Sequence, residues 1–265
     1  MKWPNNILFL VFALAFIGCG KTQIDSQSDS TINAIYNNSL SSNYFKSSQK
    51  IIVEVYYESG AEPFAGSTLN GMPYWKILED NLNAIFQYRT SKPIVVVPKD
   101  LATMTLIPVQ NKTKWTPDDL IQLNTQYKQA SPTATEAHFY IYFLKGNSTS
   151  SNNVIAESVN GTPVIGIYKN VITASGGPIV QRYVEQSTLV HEIGHALGFV
   201  NNGVPMKTNH QDSAHGAHST NPNCVMYYLN EGAADMMSFV SKFISSGNTI
   251  MWGPEVLADA QAFSQ

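Results

Sequence analysis

The chain has 265 residues, of which 43% are hydrophobic and 13% charged, and a formal net charge of -3 at pH 7. That balance supplies apolar side chains for one substantial core or two small ones and excludes disorder throughout. With no cluster of Lys and Arg anywhere, it also excludes the basic footprint of a nucleic-acid binder.

Lys2, an apolar run from Ile7 to Ile17 and then Gly18-Cys19-Gly20 form the layout of a secretory signal that ends at a lipid-modified cysteine. At about eleven residues the run is too short to span a bilayer. Gly18-Cys19 resembles a bacterial lipobox, although Phe16 stands in place of the usual leucine. The expectation is an exported bacterial lipoprotein anchored to a membrane at Cys19, with a plain cleaved signal as the alternative. Acylation of Cys19 would leave Cys224 without a disulfide partner. Residues 1–18 are read as the signal. Residues 19–49, rich in Ser, Asn, Gln and Thr, are read as a disordered polar tether that stands the domain off from the membrane surface.

The folded domain is expected over residues 50–265. Ile51 to Tyr57 reads as a first strand and Pro73 to Tyr88, with Trp75, Leu78, Leu82, Ile85 and Phe86 at helical spacing, as a first long helix. Pro93 to Pro98 and Thr103 to Val109 read as strands. Thr116-Pro117-Asp118-Asp119 is a helix start, carrying an N-cap, a proline at the first helical position and acids in the first turn, for a helix to about Gln129. His138 to Leu144 follows as a strand, with His138 read as a packing residue. Asn147 to Asn153 is a polar loop, and Pro163 to Tyr168 is a strand or hairpin arm. Ala233 to Ile244 and Pro254 to Phe263 are the last two helices. The order predicts an α/β sandwich of modest size, with no repeat and no second domain boundary.

His191-Glu192-Ile193-Gly194-His195 carries the chemistry. Positions four apart lie on one face of a helix about a turn apart, so both imidazoles can reach one metal ion. Glu192, beside them, can then act as general base on a metal-activated water. Val184, Thr188, Leu189, Ile193, Ala196 and Leu197 supply an apolar stripe, and Gly198 a stop. Five of the six histidines fall between His191 and His218, a clustering that packing does not explain. A catalytic zinc keeps three protein ligands and an open position, so a third donor is needed.

The run resembles the zinc signature of the metzincin metalloproteases, His-Glu-x-x-His-x-x-Gly-x-x-His or Asp followed by a methionine turn, at His191, Glu192, His195 and Gly198. Asn201, a poor zinc ligand, stands where the third donor should be. His218 to Met226 is similar to the His-Cys-x-x-x-x-Cys-x-Met segment of archaemetzincins, with Ser219 in place of the first cysteine, which implies an insertion from about Phe199 to Ala217. The resemblance makes His218 the preferred third ligand, His210 the main alternative, and His215 or Asn201 the remaining ones. It makes Met226 the turn methionine, and Tyr228 is similar to the tyrosine that supports the reaction intermediate in astacins and serralysins. Val184 to Tyr228 also looks like a group of lipoprotein metalloproteases of gut Bacteroidetes. His210, Asp212 and His215 could form a second metal site, a shell around the first, or a solvated loop.

The resemblance implies a mixed α+β sheet packed on helices with a zinc helix, a Met-turn and a C-terminal helix. It implies a monomeric zinc endopeptidase acting on a peptide or protein substrate, with Glu192 as base. Substrate would lie extended along an edge strand, His138 to Leu144 or Pro163 to Tyr168. Two rivals are a gluzincin taking Glu231 or Glu255 as third ligand and a lipoprotein that binds zinc without turnover. No serine or cysteine nucleophile signature competes.

Overall fold

The computed structural model describes residues 39–265, so the signal and Cys19 lie outside the described residues. Its centre is a six-stranded sheet of order β2-β1-β5-β8-β7, with β3 also paired to β1. The strands are β1 (Lys50–Glu58), β2 (Ile94–Val96), β3 (Thr105–Ile107), β5 (Glu136–Leu144), β7 (Ala156–Ser158) and β8 (Val164–Tyr168). A separate pair is formed by β4 (Lys114–Trp115) and β6 (Asn147–Ser148). All pairings in the main sheet are parallel except β7 on β8.

Parallel strands are covered on both faces, and β5 shows the consequence: its residues from Ala137 to Leu144 are all buried. That burial corrects one expectation. Neither β5 nor β8 is an edge strand, because β5 lies between β1 and β8, and β8 between β5 and β7. The edge at this end is the three-residue strand β7, which joins β8 in a hairpin with Glu157 opposite Gly166.

Helices α2 (Lys76–Phe86), α3 (Pro117–Tyr127), α4 (Lys169–Thr173), α5 (Pro178–Leu197), α6 (Ala233–Ser246) and α7 (Pro254–Phe263) complete the fold. The mixed α/β class expected from the sequence is the one observed. The start of α3 is a full capping box: Thr116 Oγ1 accepts from the Asp119 backbone N–H, and the Asp119 carboxylate accepts from the Thr116 N–H. None of the described helices is long and apolar enough to cross a membrane.

Folded structure begins before residue 50, the expected start of the domain. Residues 39–42 form a short helix, α1, that runs into a π-helical turn at Asn43–Ser47. Tyr44 and Phe45 are fully buried, with Phe45 packed on Phe86, Phe199 and Phe263. Two aromatic residues in an otherwise polar stretch are enough to dock it, since each buries a large apolar area. Ser41 then donates a 2.6 Å hydrogen bond to the Leu197 carbonyl, satisfying an orphan group at the end of α5.

Candidate metal centre

Helix α5 is the platform. Of its twenty residues, the stretch Val184 to Leu197 is buried except at His195, which is half-buried. The helix ends at Gly198, whose φ of 86° lies in the left-handed region. A Cβ at that position would also meet Ser41 Oγ at 2.6 Å and the Asn202 carbonyl oxygen at 2.7 Å. Both conformation and space therefore require glycine there.

His191 and His195 project from adjacent turns, their Nε2 atoms 3.1 Å apart. Two nitrogens at about 2.0–2.1 Å from one tetrahedral ion would stand about 3.3 Å apart, so the pair is already at ligand spacing. His218 closes the triad. One ring nitrogen from each of the three histidines lies within 4.8 Å of the others, a separation that could hold a metal ion. The His218 ring is 4.8 Å from His195 and 5.3 Å from His191, centroid to centroid.

The tautomers suit that role. His191 Nδ1 is 2.6 Å from the Val225 carbonyl, and His218 Nδ1 is 2.6 Å from the His215 carbonyl. A carbonyl only accepts, so each Nδ1 carries a proton, which makes Nε2 the nitrogen through which either ring would bind a metal ion. Burial, then the neighbouring His191 and His218, hold the His195 imidazole well below its usual pKa. It is therefore neutral near pH 7, the state a metal requires. The residues present could hold a metal ion.

Met226 packs directly against α5 between the two helical ligands. A Cβ on Gly194 would fall 2.3 Å from the Met226 sulfur and 3.1 Å from Trp252. The peptide just before it supplies the Val225 carbonyl that orients His191, and that carbonyl also accepts from Asn230 Nδ2 at 3.0 Å. The segment thus sets the Met226 sulfur against α5 and the Val225 carbonyl on the His191 ring.

Residues 207–220 bring His218 into place. The Asp212 N–H donates to the His218 carbonyl at 2.8 Å, the Thr220 N–H to the His210 carbonyl at 2.8 Å, and the Ser219 N–H to the Met226 carbonyl at 2.7 Å. His210, the alternative third ligand, is not at the centre. It is buried with Nε2 2.8 Å from Asp259 Oδ2 on α7, while Asp259 Oδ1 accepts from the Lys207 N–H at 2.6 Å. Asp212 and His215 pair with each other at 2.7 Å on the surface. The proposed second site is therefore dispersed, and among the described residues no other group of His, Cys, Asp and Glu could hold an ion.

Asn201 is exposed, with a φ of 62°, and its Nδ2 faces Gln211 Oε1 at 3.5 Å. The Glu255 carboxylate is spent on Asn221 and Ser219, which removes it as a gluzincin ligand. Tyr228 stacks on His215 at 3.7 Å and does not line the cleft at the centre. His138 sits in β5 with Nδ1 2.6 Å from Glu54, away from the triad. Burial pushes the Cys224 thiol up to about 12, so it is no nucleophile.

A cleft of about 460 Å³ opens over the centre, lined by Glu192, His195 and His218 on one side and by Ala156, Glu157 and Ser158 of β7 on another. Glu192 is 5% exposed, enough to reach the cleft from a buried position beside His191. Sequence reasoning missed β7 and Glu157 altogether. Three residues of mixed polarity give no period to read. No family model, curated protein or solved structure matches the chain.

Proposed function

We propose that this chain is a zinc-dependent endopeptidase whose site is built as in the metzincins. The observation that carries the reading is the convergence of three imidazoles with a carboxylate beside them in a cleft that an edge strand borders. Three imidazole nitrogens within 4.8 Å of one another are a donor set that suits zinc.

When bound, the ion would supply Lewis acidity, polarising a carbonyl and bringing the pKa of a water to about 7. His191, His195 and His218 would hold it, each through one ring nitrogen. Glu192 does the proton work: its carboxylate takes the proton that the attacking water gives up and returns it to the leaving amine nitrogen. Among the described residues β7 pairs with β8 alone, so its outer edge offers backbone N–H and C=O groups to an extended peptide. A peptide added there would run past the residues that line the cleft.

The test is Glu192→Ala. The variant should keep one equivalent of metal and lose cleavage of a peptide library by about 100- to 10,000-fold, the range that general acid–base groups contribute. Equal turnover by variant and parent would remove the base, and metal binding without turnover in the parent would favour a metal carrier.

A further inference from the structure

We propose that Glu157 is a specificity residue that receives the cationic side chain of an arginine or lysine in the substrate. This rests on the peptidase reading and names the class of peptide that the site would take. The cleft has two acidic side chains in its lining, Glu192 and Glu157, and no Lys or Arg. Glu192 belongs to the chemistry. Glu157 does not touch it by any contact described here, and so its charge calls for another account.

That charge has no cation to meet it. Glu157 enters no ion pair among the described residues. The nearby Lys114 is committed to the Ser148 carbonyl at 2.8 Å and to Asn152 Oδ1 at 2.6 Å. What holds Glu157 is a pair of hydroxyls. Ser148 Oγ donates to Oε2 at 3.0 Å, and Tyr168 Oη donates to Oε1.

Tyr168 is fully buried, and burial followed by the bond to Glu157 pushes its hydroxyl well above the ordinary tyrosine range. It stays protonated and keeps donating. The carboxylate is thereby fixed in one orientation on the edge strand, half-buried, with each oxygen using one of its roughly two lone-pair directions. The other direction on each oxygen remains for a ligand. A fixed carboxylate with one free lone pair per oxygen suits the two parallel N–H donors of a guanidinium, or an ammonium as a point charge.

Position completes the argument. Glu157 is the middle residue of β7, the strand on which an extended peptide would pair, and side chains alternate across such a pairing. One substrate side chain would then stand beside Glu157 while the peptide's scissile bond lies over the triad.

The experiment is cleavage of paired peptides by the metal-loaded full chain, each pair differing only by arginine or glutamine at one position. Wild type should prefer the arginine peptides at one subsite. Glu157→Gln, which keeps an acceptor for Tyr168, should lower the arginine-to-glutamine ratio of kcat/KM about tenfold or more, and Glu157→Lys should turn the preference toward glutamine. Metal content of each variant checks that the site is intact. A wild type that cuts arginine and glutamine peptides equally overturns the proposal while the peptidase stands, as does an unchanged ratio in Glu157→Gln. A metal-loaded wild type that cuts no peptide overturns both.

Discussion

His191 and His195 reach the centre from one stretch of a twenty-residue helix whose last fourteen residues are buried but for His195 itself, whereas His218 reaches it from a loop with no regular structure of its own. The helical pair needs little from outside, because the backbone period alone sets two side chains a turn apart on one face. The loop histidine depends on three separate anchors: the backbone bonds between residues 210–212 and 218–220, the Ser219 link to Met226, and the buried His210–Asp259 pair that ties the segment to α7. A ligand on a helix is positioned by local geometry, and a ligand on a loop by whatever the loop is fastened to. The two limbs should therefore fail in different ways.

The largest effect is expected from His218→Ala, which removes the loop's donor outright. Isothermal titration with zinc should show the stoichiometric site lost, and chelator, which should lower the melting temperature of the metal-loaded parent, should leave that of the variant unchanged. Retained stoichiometric binding would mean that the loop does not supply the third ligand. A smaller effect is expected from His210→Ala or Asp259→Asn, which leave all three ligands in place but loosen the loop. Metal affinity should fall by about 10- to 100-fold, the usual cost of losing an outer partner of a ligand. If either variant weakened binding more than His218→Ala, the ranking of His218 over His210 would be reversed.

The smallest effect tests the helical limb. In Gly194→Ala the new methyl meets the Met226 sulfur and Trp252, and overpacking of this kind costs about 1–3 kcal/mol. Alanine gains about 1 kcal/mol of helix propensity over glycine, so the net loss should be at most about 2 kcal/mol, read as a fall in the melting temperature of the metal-free protein. A more stable variant would show that the methionine floor yields freely and does not fix the helix.

The difference between the limbs also explains which parts of the site could be read in advance. Thr116 and Asp119, Gly198, and the apolar stripe of α5 are short-range signals, and the structure keeps each of them where spacing placed it. The resemblance to archaemetzincins pointed to His218 through its distance from Met226, and the fold brings that residue to the pair. The edge strand was misjudged for a physical reason. The run Phe139 to Leu144 is continuously apolar, which marks a strand buried on both faces and hence a central one, whereas the resemblance implies only that substrate lies along some edge strand and does not say which strand ends the sheet. Residues 39–48 were read as tether because polar composition outweighed Tyr44 and Phe45, and only the pocket formed by Phe86, Phe199 and Phe263 reveals that those two rings have somewhere to go.

What the residues settle unaided has a range of a turn or two of chain: the start of α3 at Thr116, the stop of α5 at Gly198, the apolar run of β5, and that two histidines four apart share one helical face with a glutamate beside them. Which strand ends the sheet, which of the histidines at 210, 215 and 218 faces the pair, and that Glu157 borders the cleft depend on contacts between residues tens of positions apart, such as Asp259 with His210 and Val225 with His191. Hydrogen-bond geometry within a helix repeats with the chain and can be counted along it. Contacts across the fold are chosen by burial and by the pairing of polar groups in three dimensions, which no count along the chain contains.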